Sequence, residues 1–170
     1  MTTSSDSGAV GNIETSVVTS LARFDDLAAA ARNAILLVPV NIEEPEGRPF
    51  ASSLPTVLKL AKADGVPMAV FGSPAAPPLF ERRSSEWFAP AMFVSSLFLS
   101  DNQNAVSLAL SMLANYLTTL FSGRAGASVS LDLYIADTGT RETTKVAYRG
   151  PVEGIHAIQG VVEAARRKKD

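Results

Sequence analysis

Hydrophobic residues in this chain fall into several short continuous runs, one long run and one alternating stretch, and each period implies a different element. Between Ile13 and Asn33, Val17, Leu21, Phe24, Ala28 and Ala31 share one helical face with Asp25 and Asp26 off it, which predicts a helix. The β-branched start of that segment, Ile13 to Leu21, leaves a strand as the alternative there. ILLVPV, Ile35 to Val40, is an unbroken apolar run too short for a helix, the pattern of a strand buried on both faces. NIEEPEGRPFASS reads as a loop; Ser53 then occupies an N-cap position, and Leu54, Val57, Leu58 and Ala61 form the inner stripe of a helix ended by Asp64-Gly65. PMAVFG, Pro67 to Gly72, follows as a second apolar strand, so these elements read as a βαβ unit with parallel strands.

SPAAPPLFERRSSEWFAP carries four prolines in eighteen residues and excludes a long regular element, although ERRSSEWF suits a short helix. MFVSSLFLS reads as a third strand. In SVSLDLYIAD, Val129, Leu131, Leu133 and Ile135 alternate with Ser130, Asp132, Tyr134 and Ala136, giving a strand with one dry and one wetter face. A turn centred on TGTRET places Leu133 opposite Val146 and Leu131 opposite Tyr148, keeping the apolar sets aligned. Pro151 in a first helical turn and the spacing of Val152, Ile155, Ile158, Val162 and Ala165 predict a closing amphipathic helix.

The long run is the most unusual feature, because Asn102 to Gly123 contains no charged side chain. Its polar residues Asn104, Ser107, Ser111, Asn115, Thr118 and Ser122 are spaced 3, 4, 4, 3 and 4 apart, one narrow stripe on a helix otherwise apolar around its circumference. The run is long enough to cross a bilayer, but Asp101, Asn102 and Gln103 precede it in place of basic or aromatic anchors, which argues against a membrane span. A helix laid on a sheet fits, with its stripe facing either water or another subunit. In the subunit reading Ser107, Ser111, Asn115 and Thr118 form the interface, with Asn115 near a two-fold axis.

Composition removes chemistry more than it assigns any. The 170 residues suit a leader over 1–12, whose small polar composition predicts disorder, and a single α/β domain over 13–170. There is no cysteine, which excludes thiolate chemistry and suits a reducing cytoplasm, and one histidine, His156, which excludes a multi-histidine metal centre within the chain. His156 itself reads as a structural residue near the start of the last helix. A net charge of −2 gives no field for non-specific nucleic-acid binding, and Arg166, Arg167, Lys168 and Lys169 suit the negative end of a helix dipole. No phosphate-binding glycine motif or nucleophile elbow occurs, so no cofactor is expected. A chain 46% hydrophobic and 19% charged is apolar enough for part of its surface to be covered by a further subunit, in a homo-oligomer or a larger assembly.

The predicted fold is a three-layer α/β domain with a mostly parallel sheet of about five strands, closed by an antiparallel hairpin and a helix. Such sheets bind ligands beyond the carboxyl ends of their strands, which points to the loops after the three core strands. The candidates for a small-molecule ligand are Asn41, Glu43, Glu44 and Arg48 in the first loop, Ser73 in the second and Asp101 in the third, where it reads most simply as an N-cap of the long helix. Carboxylates beside an arginine also suit a carboxylate-dependent hydrolase or glycosyl-transfer enzyme using Glu43 or Glu44, the alternative being a solvated acidic loop. Trp87, among Glu81, Arg82, Arg83 and Glu86, reads as an anchor for a surface segment. The closing segment YRGPVEGIHAIQGVVEAARR resembles small uncharacterised bacterial proteins, some from defence gene neighbourhoods; the resemblance rests on no reactive residue and carries no site across, and the setting it implies is a bacterial defence-type system. Together these readings lead to a non-catalytic subunit that self-assembles and binds a protein partner or small ligand.

Overall fold

Ile13, Val17 and Val18 lie in a strand, where helical periodicity pointed to a helix. In the computed structural model, which describes residues 11–19, 21–40, 42–43, 50–72, 79–80, 86–122 and 127–168, Asn12–Val18 forms β1. Four of its seven residues, Ile13, Thr15, Val17 and Val18, are β-branched, and a neighbouring strand supplies the partner that a local pattern cannot reveal. The helix begins later, as α1, Phe24–Ala30. Residues 1–10 of the expected leader lie outside the described residues, and Asn12 already belongs to the sheet.

The remaining elements follow in order: β2 (Ile35–Val38), β3 (Phe50–Ala51), α2 (Leu54–Asp64), β4 (Met68–Val70), β5 (Leu79–Phe80), β6 (Glu86–Phe88), β7 (Ala91–Ser95), α3 (Ser96–Asp101), α4 (Ala105–Leu120), β8 (Ser128–Asp137), β9 (Glu142–Gly150), a 3₁₀ turn (Val152–Gly154) and α5 (Ala157–Lys168). The main sheet has seven strands in the order β1-β9-β8-β7-β2-β4, with β6 also pairing β8, and β3 and β5 form a separate parallel pair. Leu133 faces Val146 and Leu131 faces Tyr148, the register that the alternation predicts.

The expectation of a mostly parallel, five-stranded sheet is overturned. The sheet is mixed and open, and antiparallel pairing of β9 with β1 and β8, and of β2 with β7, runs along most of its length. The βαβ unit is present, because β2 and β4 are parallel across α2. The error lies in the next step. A parallel strand needs a crossover, usually helical, and the proline-rich connection from β4 to β7 supplies no helix among its described residues. The chain instead returns along the other edge of β2, antiparallel to it.

Two further expectations change with local geometry. MFVSSLFLS is a strand only to Ser95, whose hydroxyl caps α3 by accepting from the Phe98 N–H at 3.2 Å. Within ERRSSEWF, the described part, Glu86–Phe88, is a strand. Phe88 pairs Ser130 and Met92 pairs Leu133, so Ala89, Pro90 and Ala91 stand opposite only Leu131 and Asp132. β6 and β7 are therefore one line of strand interrupted by a bulge, and Pro90, which has no N–H to donate, sits where pairing lapses.

Pleating sends alternate residues of the sheet to two differently built cores. On the first face Leu37, Met92, Val94, Leu131, Leu133 and Val146 pack with Val57 of α2, Leu110, Leu113 and Leu117 of α4, and Ile158 and Val162 of α5. On the second face Leu36, Val38, Phe93, Tyr134 and Ala136 pack with Phe24, Leu27 and Ala31 at α1. α2 ends as expected at Gly65, whose φ of 73° is a left-handed conformation that glycine adopts without a Cβ clash. Ser53 lends its side chain elsewhere, donating to the Phe88 carbonyl at 2.6 Å and tying the start of α2 to β6.

Candidate functional site

The second face of the sheet is covered by α1 only in part, and beyond it lies a polar cluster centred on Glu43. Alternation in β8 puts Asp132 and Tyr134 on this face, and the hairpin register sets Lys145 of β9 beside Tyr134. The segment after β2 brings Glu43 back over both. Its Oε1 accepts from the Tyr134 hydroxyl at 3.0 Å and its Oε2 from Lys145 Nζ at 3.0 Å. Lys145 Nζ also stands 5.7 Å from the centroid of the Tyr134 ring.

Electrostatics at this cluster hold charge in place and oppose proton transfer. Partial burial pushes the Glu43 carboxyl upward, but the hydrogen bond and charge of Lys145 and the Tyr134 hydroxyl outweigh it, so the group is held below its ordinary value. Burial, followed by the Glu43 charge, pushes the Tyr134 hydroxyl far above its ordinary value. A general acid or base works best with a pKa near the operating pH, and both groups are driven away from neutrality in opposite directions. With one donor on each oxygen, Glu43 is a clamp holding the segment after β2 onto β8 and β9.

The other ligand candidates do not gather around it. Asn41, Glu44, Arg48 and Ser73 lie outside the described residues. Asp101 is exposed and closes α3; the N-cap of α4 is Asn104, so the expected capping role is corrected. Since β2 and β7 are antiparallel, their carboxyl ends point to opposite ends of the sheet, and the segment carrying Glu43 and the helix α3 that ends at Asp101 start from those opposite ends. The shared rim assumed for a parallel sheet is absent for this pair. His156 is exposed, Trp87 packs half-buried with its ring centroid 6.2 Å from that of Tyr116, and the side chains of Arg166, Arg167 and Lys168 lie outside the described set. Among the described residues, no group of three or more His, Asp or Glu side chains is placed to hold a metal ion.

The uncharged segment forms α4, and among the described residues no helix is long and apolar enough to cross a membrane. Its buried side carries Val106, Ala109, Leu110, Leu113 and Leu117. Its outer arc carries the predicted interface residues: Asn115 and Thr118 are exposed, Ser107 and Ser111 half-exposed, and Leu108 in the same arc is 54% exposed. Thr118 and Thr119 donate their hydroxyls back to the carbonyls of Ala114 and Asn115, at 2.8 and 3.4 Å, so their hydrogens are used within the helix. The neighbouring helix α2 packs into the same core yet exposes Lys59, Lys62 and Asp64.

Tyr134 and Lys145 are the residues of this candidate site that sequence reasoning did not single out. Alternation placed Tyr134 on the wetter face and the hairpin register put Lys145 beside it, but Glu43 is 91 positions from Tyr134 and no local pattern links them. No protein-family model matches the chain, and no curated protein or solved structure matches it significantly.

Proposed function

We propose that the chain is a non-catalytic subunit that assembles with copies of itself through the outer arc of α4. The observation that carries this reading is the contrast between two helices of one layer: α2 turns lysines and an aspartate to solvent, whereas α4 exposes Asn, Ser and Thr with Leu108 and Leu120 and no charged side chain. Desolvating such a surface strands no charge, and amide and hydroxyl groups pair readily with copies of themselves across a two-fold axis. Burying the exposed part of Leu108 contributes on the order of 1 kcal/mol. The engagement of Glu43 by Tyr134 and Lys145, which holds its carboxyl below the ordinary value and away from neutrality, weighs against the alternative of a carboxylate-dependent hydrolase or glycosyl-transfer enzyme. Binding of a partner protein or small ligand belongs to the same proposal, and the resemblance of the closing segment supports a bacterial defence-type setting for it.

The test is mass by size exclusion with light scattering. Asn115→Arg sets like charges against each other near the axis, and the oligomer mass is expected to fall by half or more at unchanged helical content. A parent chain that is already monomeric, or an assembly whose mass the substitution leaves unchanged, removes the reading.

A further inference from the structure

β1 is the edge of the main sheet, and among the described strands it pairs only β9. In an antiparallel pair alternate residues turn their N–H and C=O groups away from the partner, so among the described residues β1 presents a row of donors and acceptors with no strand on its outer side. Edge strands are ordinarily protected by shortness, proline, lysine or a bulge. β1 has neither proline, lysine nor bulge, and Glu14 is its one charge: NIETSVV is seven residues long, pairs β9 without a break in register, and leaves five of its residues exposed, Val17 at 55%. The opposite edge, β4, is only three residues long.

We propose that this edge receives the β1 strand of a second copy, antiparallel and centred on Thr15, joining two sheets into one. The sequence is self-complementary about that residue. Thr15 faces Thr15 of the other copy, Ile13 faces Val17 and Val17 faces Ile13, all on the sheet's first face, so the apolar side chains meet in cross-strand pairs. On the second face Glu14 meets Ser16, and the two Glu14 carboxylates are displaced diagonally from each other. No like charges stand directly opposite, as they would if the centre were Glu14. A centre at Ser16 would instead set Val17 against Thr15 and Glu14 against Val18, separating the apolar pairs, which favours the Thr15 centre. The contact lies at the sheet edge and is independent of α4, which packs on the sheet's first face. A chain with both two-fold contacts builds an assembly larger than a dimer.

The chain has no cysteine, so a single introduced thiol reports one contact. Thr15→Cys places two thiols face to face across the axis, within the ~5.5 Å Cα separation a disulfide spans. Asn12→Cys places its pair about 20 Å apart along the strands. Both positions are exposed, so neither substitution disturbs the core. Under mild copper-phenanthroline oxidation Thr15→Cys is expected to run as a cross-linked dimer on non-reducing gels and Asn12→Cys as a monomer. The same contrast is expected in the Asn115→Arg background, which separates this contact from the one through α4. Thr15→Cys that stays monomeric, because another segment or another protein covers the edge, overturns the proposal, as does equal cross-linking of the two variants.

Discussion

Lys145 supplies the charge that keeps Glu43 ionised, and the consequence for stability has a definite sign. Glu43 is held below its ordinary value of 4.5, so the clamp contributes fully above that pH and is lost as the pH falls below it towards the folded-state value. Glu43 and Lys145 are 29% and 22% exposed, so solvent screens the pair only in part. Lys145→Met is therefore expected to cost about 1 to 2 kcal/mol at pH 7, between the values for exposed and buried pairs. In chemical denaturation that difference should shrink at pH 3; an equal loss at both pH values would show that Lys145 acts through packing of its alkyl chain. Close approach governs another residue, Gly154, where an added Cβ would strike the hydroxyl and ring of Tyr148. The glycine leaves room for that hydroxyl to donate to the Pro151 carbonyl at 2.5 Å, fixing the turn from β9 into α5. Neither Glu43's partners nor this approach has a local signature, since each joins groups whose sequence spacing implies no contact.

At the scale of elements, boundaries follow from caps as much as from periodicity. The apolar run from Met92 to Leu99 continues through Ser95, and only the serine's side chain decides that strand gives way to helix there. Its Oγ accepts from Phe98 N–H and donates to the Ala31 carbonyl at 3.2 Å, so one buried hydroxyl caps α3 and holds the end of α1. Ser95→Ala leaves both groups without it and is expected to cost about 1 to 2 kcal/mol by urea denaturation. A cost below about 0.5 kcal/mol for Ser95→Ala would show that these two hydrogen bonds do not hold the junction. The hairpin shows the opposite case, with its register legible beforehand. There the period-two alternation of both strands admits one alignment, and Asp137 supports the turn by accepting from the Gly139 and Thr140 N–H groups at 2.9 and 3.3 Å. Arg141, at a φ of 65°, completes the turn and pairs with Asp25, the second residue of α1, linking hairpin to helix.

For the whole molecule, the order of strands sets both stability and exposure. β8 and β7 are central, while β1 and β4 are edges. Amide hydrogen exchange is expected to be slowest in β7 and β8 and faster in β4 and β1, since edge amides open without disrupting the core. If two copies join through β1, protection there should rise with protein concentration while β4 stays unchanged; concentration-independent exchange in β1 would count against the joined sheet. The two faces divide the work in the same way. The first is packed beneath α2, α4 and α5 over its centre and leaves Thr15 and Val17 exposed at the β1 edge, and the second leaves the Glu43 cluster at the margin of α1's cover.

Periodicity by itself determined what depends on neighbours within a turn or a pair of residues: the buried circumference and uncharged arc of α4, the strand-helix-strand unit from β2 to β4, the β8–β9 register, and Ile158 and Val162 on the inner side of α5, although that helix begins only at Ala157, after a 3₁₀ turn that takes Val152. These survive because side-chain direction repeats every 3.6 or 2 residues whatever lies beyond the element. Tertiary structure alone decided that Ile13 to Val18 pairs with β9 as a strand, that β7 runs against β2, that Pro90 marks a bulge along β8, and that Glu43 meets Tyr134 and Lys145. Each of those outcomes depends on which distant backbone offers hydrogen-bond partners and which side chains it brings along, and a local pattern carries no information about either.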